Sequence, residues 1–202
     1  MPRARGQIDA RKSEAILVAA AEVLAERGLS APLEEVARRA KVSKQTVYNH
    51  YGSKTQLVRT LVSRRCLELT APLEADDALD DPHATLSRYA MAMIHSVLTE
   101  PYGEIIRLSV SGSLDLPELA EIVYDTGIIG ARKRLAGYIS DLVAQGRLVV
   151  SDPLQAAEMF AGLAVGGLQM RVLPGQDVAR DMASENGRAD TVARLFLRAY
   201  AA

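Results

Sequence analysis

The 202-residue chain has one cysteine, no tryptophan and only 4% aromatic residues. A lone Cys66 cannot close an intrachain disulfide, so the fold does not depend on an oxidising compartment. The first thirty residues carry no apolar core of a secretory signal, and a cytoplasmic location is expected. Long apolar runs are also missing. Phe160–Leu168, among the longest, is largely Gly and Ala and falls well short of the roughly 20 residues a bilayer requires, so no membrane partner is expected. The chain lacks a nucleophile elbow, a Walker-type loop, a dinucleotide fingerprint and a paired-carboxylate constellation. His83 follows Asp81 and Pro82 without a second ligand at metal spacing. No catalytic residue, cofactor or metal ligand is therefore assigned.

What is present is 49% apolar content, enough for one large core or two modest ones built mainly from Ala, Leu and Val. The net charge of −1 hides an asymmetry. Residues 1–65 hold 13 Lys and Arg against 6 Asp and Glu, whereas the rest hold 11 against 19. A basic head on an acidic body suits an anionic partner for the head, although a solvated face would give the same count.

Apolar residues recur at three and four throughout, and no convincing strand appears. The spacing predicts a first helix from a Ser13 cap to Arg27, stopped by Gly28. Pro32 suits the first turn of a short second helix carrying Leu33, Val36, Ala37 and Ala40. Lys41 and Val42 form a turn, Ser43 caps a third helix through His50, and Gly52 ends it. Ser53 caps a fourth helix, after which the acidic stretch Glu74–Asp81 reads as a solvated loop. Further helices are expected near 84–99, 102–112, 117–145 with a break at Gly127 or Gly130, 153–173 and 187–201. Asp152 before Pro153 is a strong helix start.

Short helices with a tight turn between the second and third have the layout of a helix-turn-helix. Val42, Val47 and Tyr51 can anchor one side of the third helix, leaving Lys44, Gln45, Thr46, Tyr48, Asn49 and His50 outward, with no acid between Glu35 and Leu57. Lys41, Lys44, Lys54 and Arg59 surround that set. Lysine can reach guanine acceptors, glutamine and asparagine can pair with adenine, and each phosphate contact adds salt dependence. Ser43 at a helix N-terminus suits a phosphate, and Arg3 and Arg5 are candidates for the minor groove.

The run VSKQTVYNHYGSKTQL at 42–57, after ILVAAAEVLAERG at 16–28 and LEEVARRA at 33–40, resembles the TetR (tetracycline-repressor) family of bacterial transcription regulators. The resemblance covers about residues 13–65. It implies an all-α protein with an N-terminal three-helix helix-turn-helix domain and a helical-bundle domain for effector binding and dimerisation. It also implies that Tyr48, His50 and Lys54 touch DNA phosphates or bases. Two positions depart from the family: Ala31 stands where a phosphate-touching threonine is usual, with Ser30 beside it, and Gln45 where a smaller residue is common. The stretch GRLVVSDPLQAAEMFAGL at 146–163 loosely resembles one effector-domain subgroup.

The expected division is 1–52 for DNA binding, 53–71 as a connecting helix and 72–202 for effector and dimer contacts. The DNA-binding set is Ser43, Lys44, Gln45, Thr46, Tyr48, Asn49, His50 and Lys54. A helical effector pocket would draw on Met91, Ile94, His95, Tyr102, Arg107, Tyr124, Tyr138 and Met159, where His95 also reads as an ordinary core histidine. Gly162, Gly166, Leu195 and Phe196 suit a seam between two copies. The resulting expectation is a homodimeric one-component regulator of a repressor type, with pseudo-palindromic double-stranded operator DNA and a small-molecule effector as partners. Two alternatives stand beside it: a DNA-binding regulator without effector, and a small helical enzyme or carrier with a helix-turn-helix-like head.

Overall fold

The computed structural model describes residues 5–98, 102–111, 113–174 and 182–202; the side chains of 5–9, 102, 104, 108, 111 and 182–186 lie outside the description. Ten α-helices follow one another among the described residues: α1 (Arg5–Arg27), α2 (Leu33–Arg39), α3 (Lys44–Tyr51), α4 (Lys54–Thr70), α5 (Pro82–Leu98), α6 (Tyr102–Ser111), α7 (Pro117–Ile122), α8 (Gly130–Ala144), α9 (Pro153–Val172) and α10 (Met182–Ala199). No strand forms among those residues; Leu148 and Ala201 make a single isolated antiparallel bridge. The all-α expectation holds. No helix among the described residues is long and apolar enough to cross a membrane.

Most boundaries follow local chemistry. Asp152 caps α9 by accepting from the Gln155 N–H at 3.0 Å, with Pro153 in the first turn. Gly146 at φ 69° ends α8: its N–H donates to the Val143 carbonyl and that of Arg147 to the Leu142 carbonyl, satisfying two orphan acceptors. Three expectations need correction. Ser13 does not cap the first helix, which begins at Arg5; the Ser13 hydroxyl lies 2.8 Å from that of Tyr51. Pro32 occupies the cap position of α2 rather than its first turn. Gly187 lies inside α10, which starts five residues earlier than expected. The break foreseen near Gly127 takes the form of a π-helical stretch, Val123–Ile129, between α7 and α8.

The chain folds into two compact units that are not contiguous in sequence. The first groups 1–64 with 100–125, so α6 and α7 belong with the helix-turn-helix. Its core joins Ile16, Ala20, Val23 and Leu24 of α1 to Leu33, Val36, Val47, Leu57 and Leu61, with Ile105, Leu119 and Ile122 added from α6 and α7. The second unit groups 65–99 with 126–202. Its core holds Leu86, Tyr89, Ile94, Leu135, Ile139, Leu142, Phe160, Leu168, Val192 and Phe196. Four of the nine aromatics, Tyr89, Tyr138, Phe160 and Phe196, sit in that core. Phe160 stacks on Tyr89 with ring centroids 5.9 Å apart and meets Phe196 edge-on at 5.3 Å.

The acidic stretch after α4 keeps its five carboxylates in solvent, as expected, but its backbone is anchored. Leu73 and Ala78 are buried, and the Ala78 carbonyl accepts from the Thr85 hydroxyl at 3.0 Å and the Tyr138 hydroxyl at 2.7 Å. Two buried hydroxyls need an acceptor, and this carbonyl supplies it. Asp81 then caps α5 by accepting from the Ala84 N–H at 3.0 Å.

Candidate nucleic-acid interface

The turn from α2 to α3 is a Schellman motif with a lysine at its left-handed position. The Lys41 N–H donates to the Arg38 carbonyl at 3.2 Å and the Val42 N–H to the Ala37 carbonyl at 3.0 Å. Lys41 has φ 54°, a region that a side chain disfavours and glycine tolerates. Ser43 then starts α3, its hydroxyl oxygen accepting from the Thr46 N–H at 3.0 Å while lying 2.8 Å from the Thr46 hydroxyl.

α3 divides cleanly by face. Val47 and Tyr51 are buried on the core of the first unit, and Val42 packs partly against it. The Tyr51 hydroxyl donates to the Ser13 carbonyl at 3.2 Å, joining the end of α3 to α1 across 38 residues. The opposite face presents Lys44, Gln45, Tyr48 and Asn49, all exposed. Gln45 Nε2 donates to Asn49 Oδ1 at 2.8 Å, so the two amides form one hydrogen-bonded edge. Lys44 Nζ lies 5.7 Å from the centroid of the Tyr48 ring and pairs with Glu34 of α2. The bond holds the Glu34 carboxyl below its ordinary value and the Lys44 ammonium above its own. His50 is half-buried, with its ring centroid 6.1 Å from that of Tyr51.

Gly52 ends α3 at φ 70°, where an added Cβ would meet nothing within 4 Å; its requirement is conformational, not steric. Ser53 caps α4 by accepting from the Gln56 N–H at 3.1 Å. Lys54 stands half-buried in the first turn of α4, and desolvation pushes its ammonium below the ordinary lysine value. Ser30 is turned elsewhere: its hydroxyl reaches the Arg27 carbonyl at 3.4 Å, and Ala31 is buried.

Behind this surface an ion-pair network ties α1 to α2. Arg39 donates to both carboxylate oxygens of Glu26 at 2.7 Å and to Glu22 at 3.4 Å. Glu35 accepts from Arg38 Nε at 3.1 Å and lies 3.8 Å from Arg27. A bidentate Arg39–Glu26 pair fixes orientation better than a single contact does. Arg64 on α4 pairs with Glu14 on α1.

The structure thus brings Ser43, Lys44, Gln45, Thr46, Tyr48, Asn49 and His50 to one helix and its N-terminus, with Lys54 at the start of the next helix. Arg3 and the side chain of Arg5 lie outside the described residues. Sequence reasoning missed the Glu34–Lys44 pair and the Ser13–Tyr51 link, because neither has a periodic signature. The strained φ at Lys41 was hidden as well, since glycine is the usual marker of that conformation.

The described residues expected in the body are divided between the two compact units. Ile94 and Tyr138 are buried in the core of the second unit with Met91 packed against it, and the Tyr138 hydroxyl is committed to the Ala78 carbonyl. His95 lies on an exposed face of α5, not in the core. Met159 is exposed, its sulfur accepting from the Tyr200 hydroxyl at 3.3 Å. Tyr124, exposed, and Arg107, half-buried, belong to the first unit; the side chain of Tyr102 lies outside the described residues. Gly162 and Leu195 are exposed and Gly166 half-buried, but Phe196 is a core residue held edge-on by Phe160 rather than part of an open face.

A capped, acid-free helix held by a tight turn on a small helical core defines a helix-turn-helix DNA-binding protein. Residues 16–61 match the family model for bacterial regulatory proteins of the tetR family, and residues 84–202 match that for the C-terminal domain of AefR-like transcriptional repressors. The chain is 30% identical over 144 residues to the HTH-type transcriptional repressor Rv3405c of Mycobacterium tuberculosis, covering 67% of this chain and 70% of that protein. Among solved structures, a TetR-family transcriptional regulator from Mesorhizobium loti shares the fold with a TM-score of 0.79 at 24% identity, over 99% of this chain and 100% of that one. The flavonoid-responsive regulator FrrA superposes with a TM-score of 0.69 at 26% identity, over 95% and 98% of the two chains. The protein belongs to the TetR family of transcriptional regulators, with a C-terminal domain of the AefR-like class.

Proposed function

We propose that the protein is a one-component repressor that binds a pseudo-palindromic operator as a homodimer and is released when a small molecule binds its helical body. The observation that carries the DNA half is the outward face of α3, with Ser43 at its N-terminus and Lys44, Gln45 and Asn49 within reach of base edges. Ser43, Thr46, Tyr48, His50 and Lys54 take phosphate and sugar contacts, and Arg3 and Arg5 remain candidates for the minor groove. In functional terms residues 1–52 read DNA, 53–71 connect, and 72–202 hold effector and partner, a division that differs from the two compact units.

Support for the dimer comes from α9. Met159, Leu163 and Met170 are 50%, 50% and 72% exposed and, with Gly166, recur at the spacing of one helix face. A Cβ added at Gly162, Gly166 or Gly167 would meet nothing within 4 Å, so packing among the described residues does not require these glycines. A second copy approaching closely would. Leu195 on α10, 50% exposed, adds to that seam. Two-fold symmetry places two α3 helices about one DNA turn, roughly 34–36 Å, apart.

Effector release is a population shift. A ligand that binds one arrangement of the body better than another changes the spacing of the two heads, by no more than its differential affinity allows. α4 runs from the first unit into the second and is the continuous element through which such a shift would pass. The name of FrrA makes flavonoids a rational first set for the effector screen.

Fluorescence anisotropy on fragments of the DNA flanking its own gene, with a scrambled duplex at two salt concentrations, tests the reading. Saturable binding to one fragment, steeply weakened by salt and reversed by an effector, is expected. Equal affinity for all sequences in flanking DNA and in a random-sequence selection would reject it. A monomer at micromolar concentration in analytical ultracentrifugation would reject the dimer.

A further inference from the structure

We infer that Glu34 is a specificity-determining residue of the DNA interface: an internal anion that occupies Lys44 until a base edge replaces it. The inference rests on the reading that Lys44 faces DNA.

The two residues stand ten apart in sequence and meet because the turn at 40–43 brings the first turn of α2 beside the first residue of α3. Both side chains are about half exposed, 54% for Glu34 and 53% for Lys44, so the pair sits where DNA can reach it. Its neighbour Glu35 is built differently. Glu35 is engaged with Arg38, Arg27 and Arg39 in the network behind the surface, and its side chain is only 13% exposed. Glu34 has no second cation among the described ion pairs, so neutralising it leaves that network intact and still leaves Glu35 in the first turn of α2.

The chemistry of the competitors differs. A carboxylate and a phosphate are alike to an ammonium: each offers an anionic oxygen at a surface. On DNA of unsuitable sequence Lys44 therefore keeps Glu34, and the cation contributes no phosphate contact of its own. A guanine presents two acceptors, O6 and N7, at one fixed place in the major groove, which a carboxylate held on α2 does not reproduce. Only a fitting sequence recruits Lys44. Glu34 then lowers non-specific affinity more than specific affinity.

The test uses the full chain as wild type, Glu34→Gln, Lys44→Gln and the double variant. Each is titrated by anisotropy against the best-bound fragment and a scrambled duplex at salt from about 50 to 200 mM. Freed from Glu34, Lys44 should add one phosphate contact on scrambled DNA, steepening its salt slope by about 0.9. Over that fourfold range the loss of affinity then grows by about 3.5-fold. The ratio of specific to non-specific affinity should fall on neutralising Glu34, by about 3.5-fold more at 50 mM than at 200 mM. In the Lys44→Gln background, Glu34→Gln should change neither. Equal tightening on both DNAs, or the same tightening without Lys44, would mean a general field effect and overturns the proposal. Weaker binding to both would mean that Glu34 positions Lys44 instead, and overturns it too. If Lys44→Gln alone leaves every affinity and slope unchanged, the placement of Lys44 at DNA has failed, and the inference fails with it.

Discussion

Replacing Lys41 by glycine should make the protein more stable and a weaker DNA binder at once. Lys41 holds φ 54° at the left-handed position of the turn between α2 and α3. For a residue with a Cβ that conformation is unfavourable by about 1–2 kcal/mol, whereas glycine adopts it freely. Glycine also loses about 0.5–1 kcal/mol more conformational freedom on folding, so the net gain is about 0.5–1 kcal/mol. For a chain of this length that is about 1–4 °C in Tm. Both Schellman hydrogen bonds are backbone bonds and survive the change. The charge does not survive it: Lys41 is exposed beside the start of α3, and removing a cation that meets a phosphate there should reduce the salt slope of DNA binding by about 0.9. Lys41→Asn separates the effects: asparagine tolerates the left-handed region better than lysine, so it should recover part of the stability and lose all of the DNA contact. Differential scanning calorimetry and salt-dependent anisotropy on the three proteins give the two numbers. A Tm for Lys41→Gly at or below wild type would refute the strain argument; an unchanged salt slope would refute the DNA contact.

Lys54→Met keeps the alkyl stem but removes a half-buried charge whose ammonium desolvation already disfavours. A lysine with a lowered folded pKa destabilises the fold wherever it is charged, neutral pH included, so Tm should rise by about 1–2 °C while affinity for all DNA falls; a drop in Tm would contradict this. Phe160→Ala removes the ring that stacks on Tyr89 and meets Phe196, at a side chain with no exposure. The cavity should cost about 3–5 kcal/mol and lower Tm by roughly 10 °C, and a loss under about 3 °C would show that the site collapses to fill it. Glu14, Glu26, Glu34 and Glu35 all sit below their ordinary value of 4.5, in each case chiefly through a hydrogen bond to an arginine or lysine. A lowered folded pKa means stability that is present above about 4.5 and disappears as pH falls through the folded values. Because Glu14, Glu26 and Glu34 are about half exposed, the acid loss of Tm should be smaller at high ionic strength. Arg39→Gln should flatten it further, and an identical pH profile in that variant would remove the Glu26 pair from the explanation.

The head was legible because its signals are local. Ser43 and Ser53 cap helices three residues away, Gly28 and Gly52 stop them with positive φ, and Val47 and Tyr51 sit one turn apart on the same side. Each of these can be read within a window of about five residues, the range over which helix chemistry acts. What stayed hidden joins distant residues: Tyr51 to Ser13, Lys44 to Glu34, Arg39 to Glu26. Composition announces none of these pairs. Likewise, that α6 and α7 share a core with α1 follows from tertiary packing alone, since their own sequences are amphipathic in a way that suits either unit.

The body was harder for a reason visible in α9. Its sequence is apolar around most of its circumference, so periodicity locates the helix but gives no rotational phase. The structure supplies the phase. Ala156, Phe160, Ala164 and Leu168 face the core, and Met159, Leu163, Gly166 and Met170 trace a second stripe outside it. Two apolar stripes on one helix mean that burial inside the described chain accounts for only one of them. A helix with one face to cover would carry charge on the other, as α10 does with Arg194 and Arg198. The same ambiguity set Met159 among candidate pocket residues: an exposed methionine on the outer stripe and a buried one at a ligand have the same spacing in sequence. Only the phase of α9 separates an outward stripe from a core-facing one, and that phase is fixed by Phe160 through its contacts with Tyr89 and Phe196.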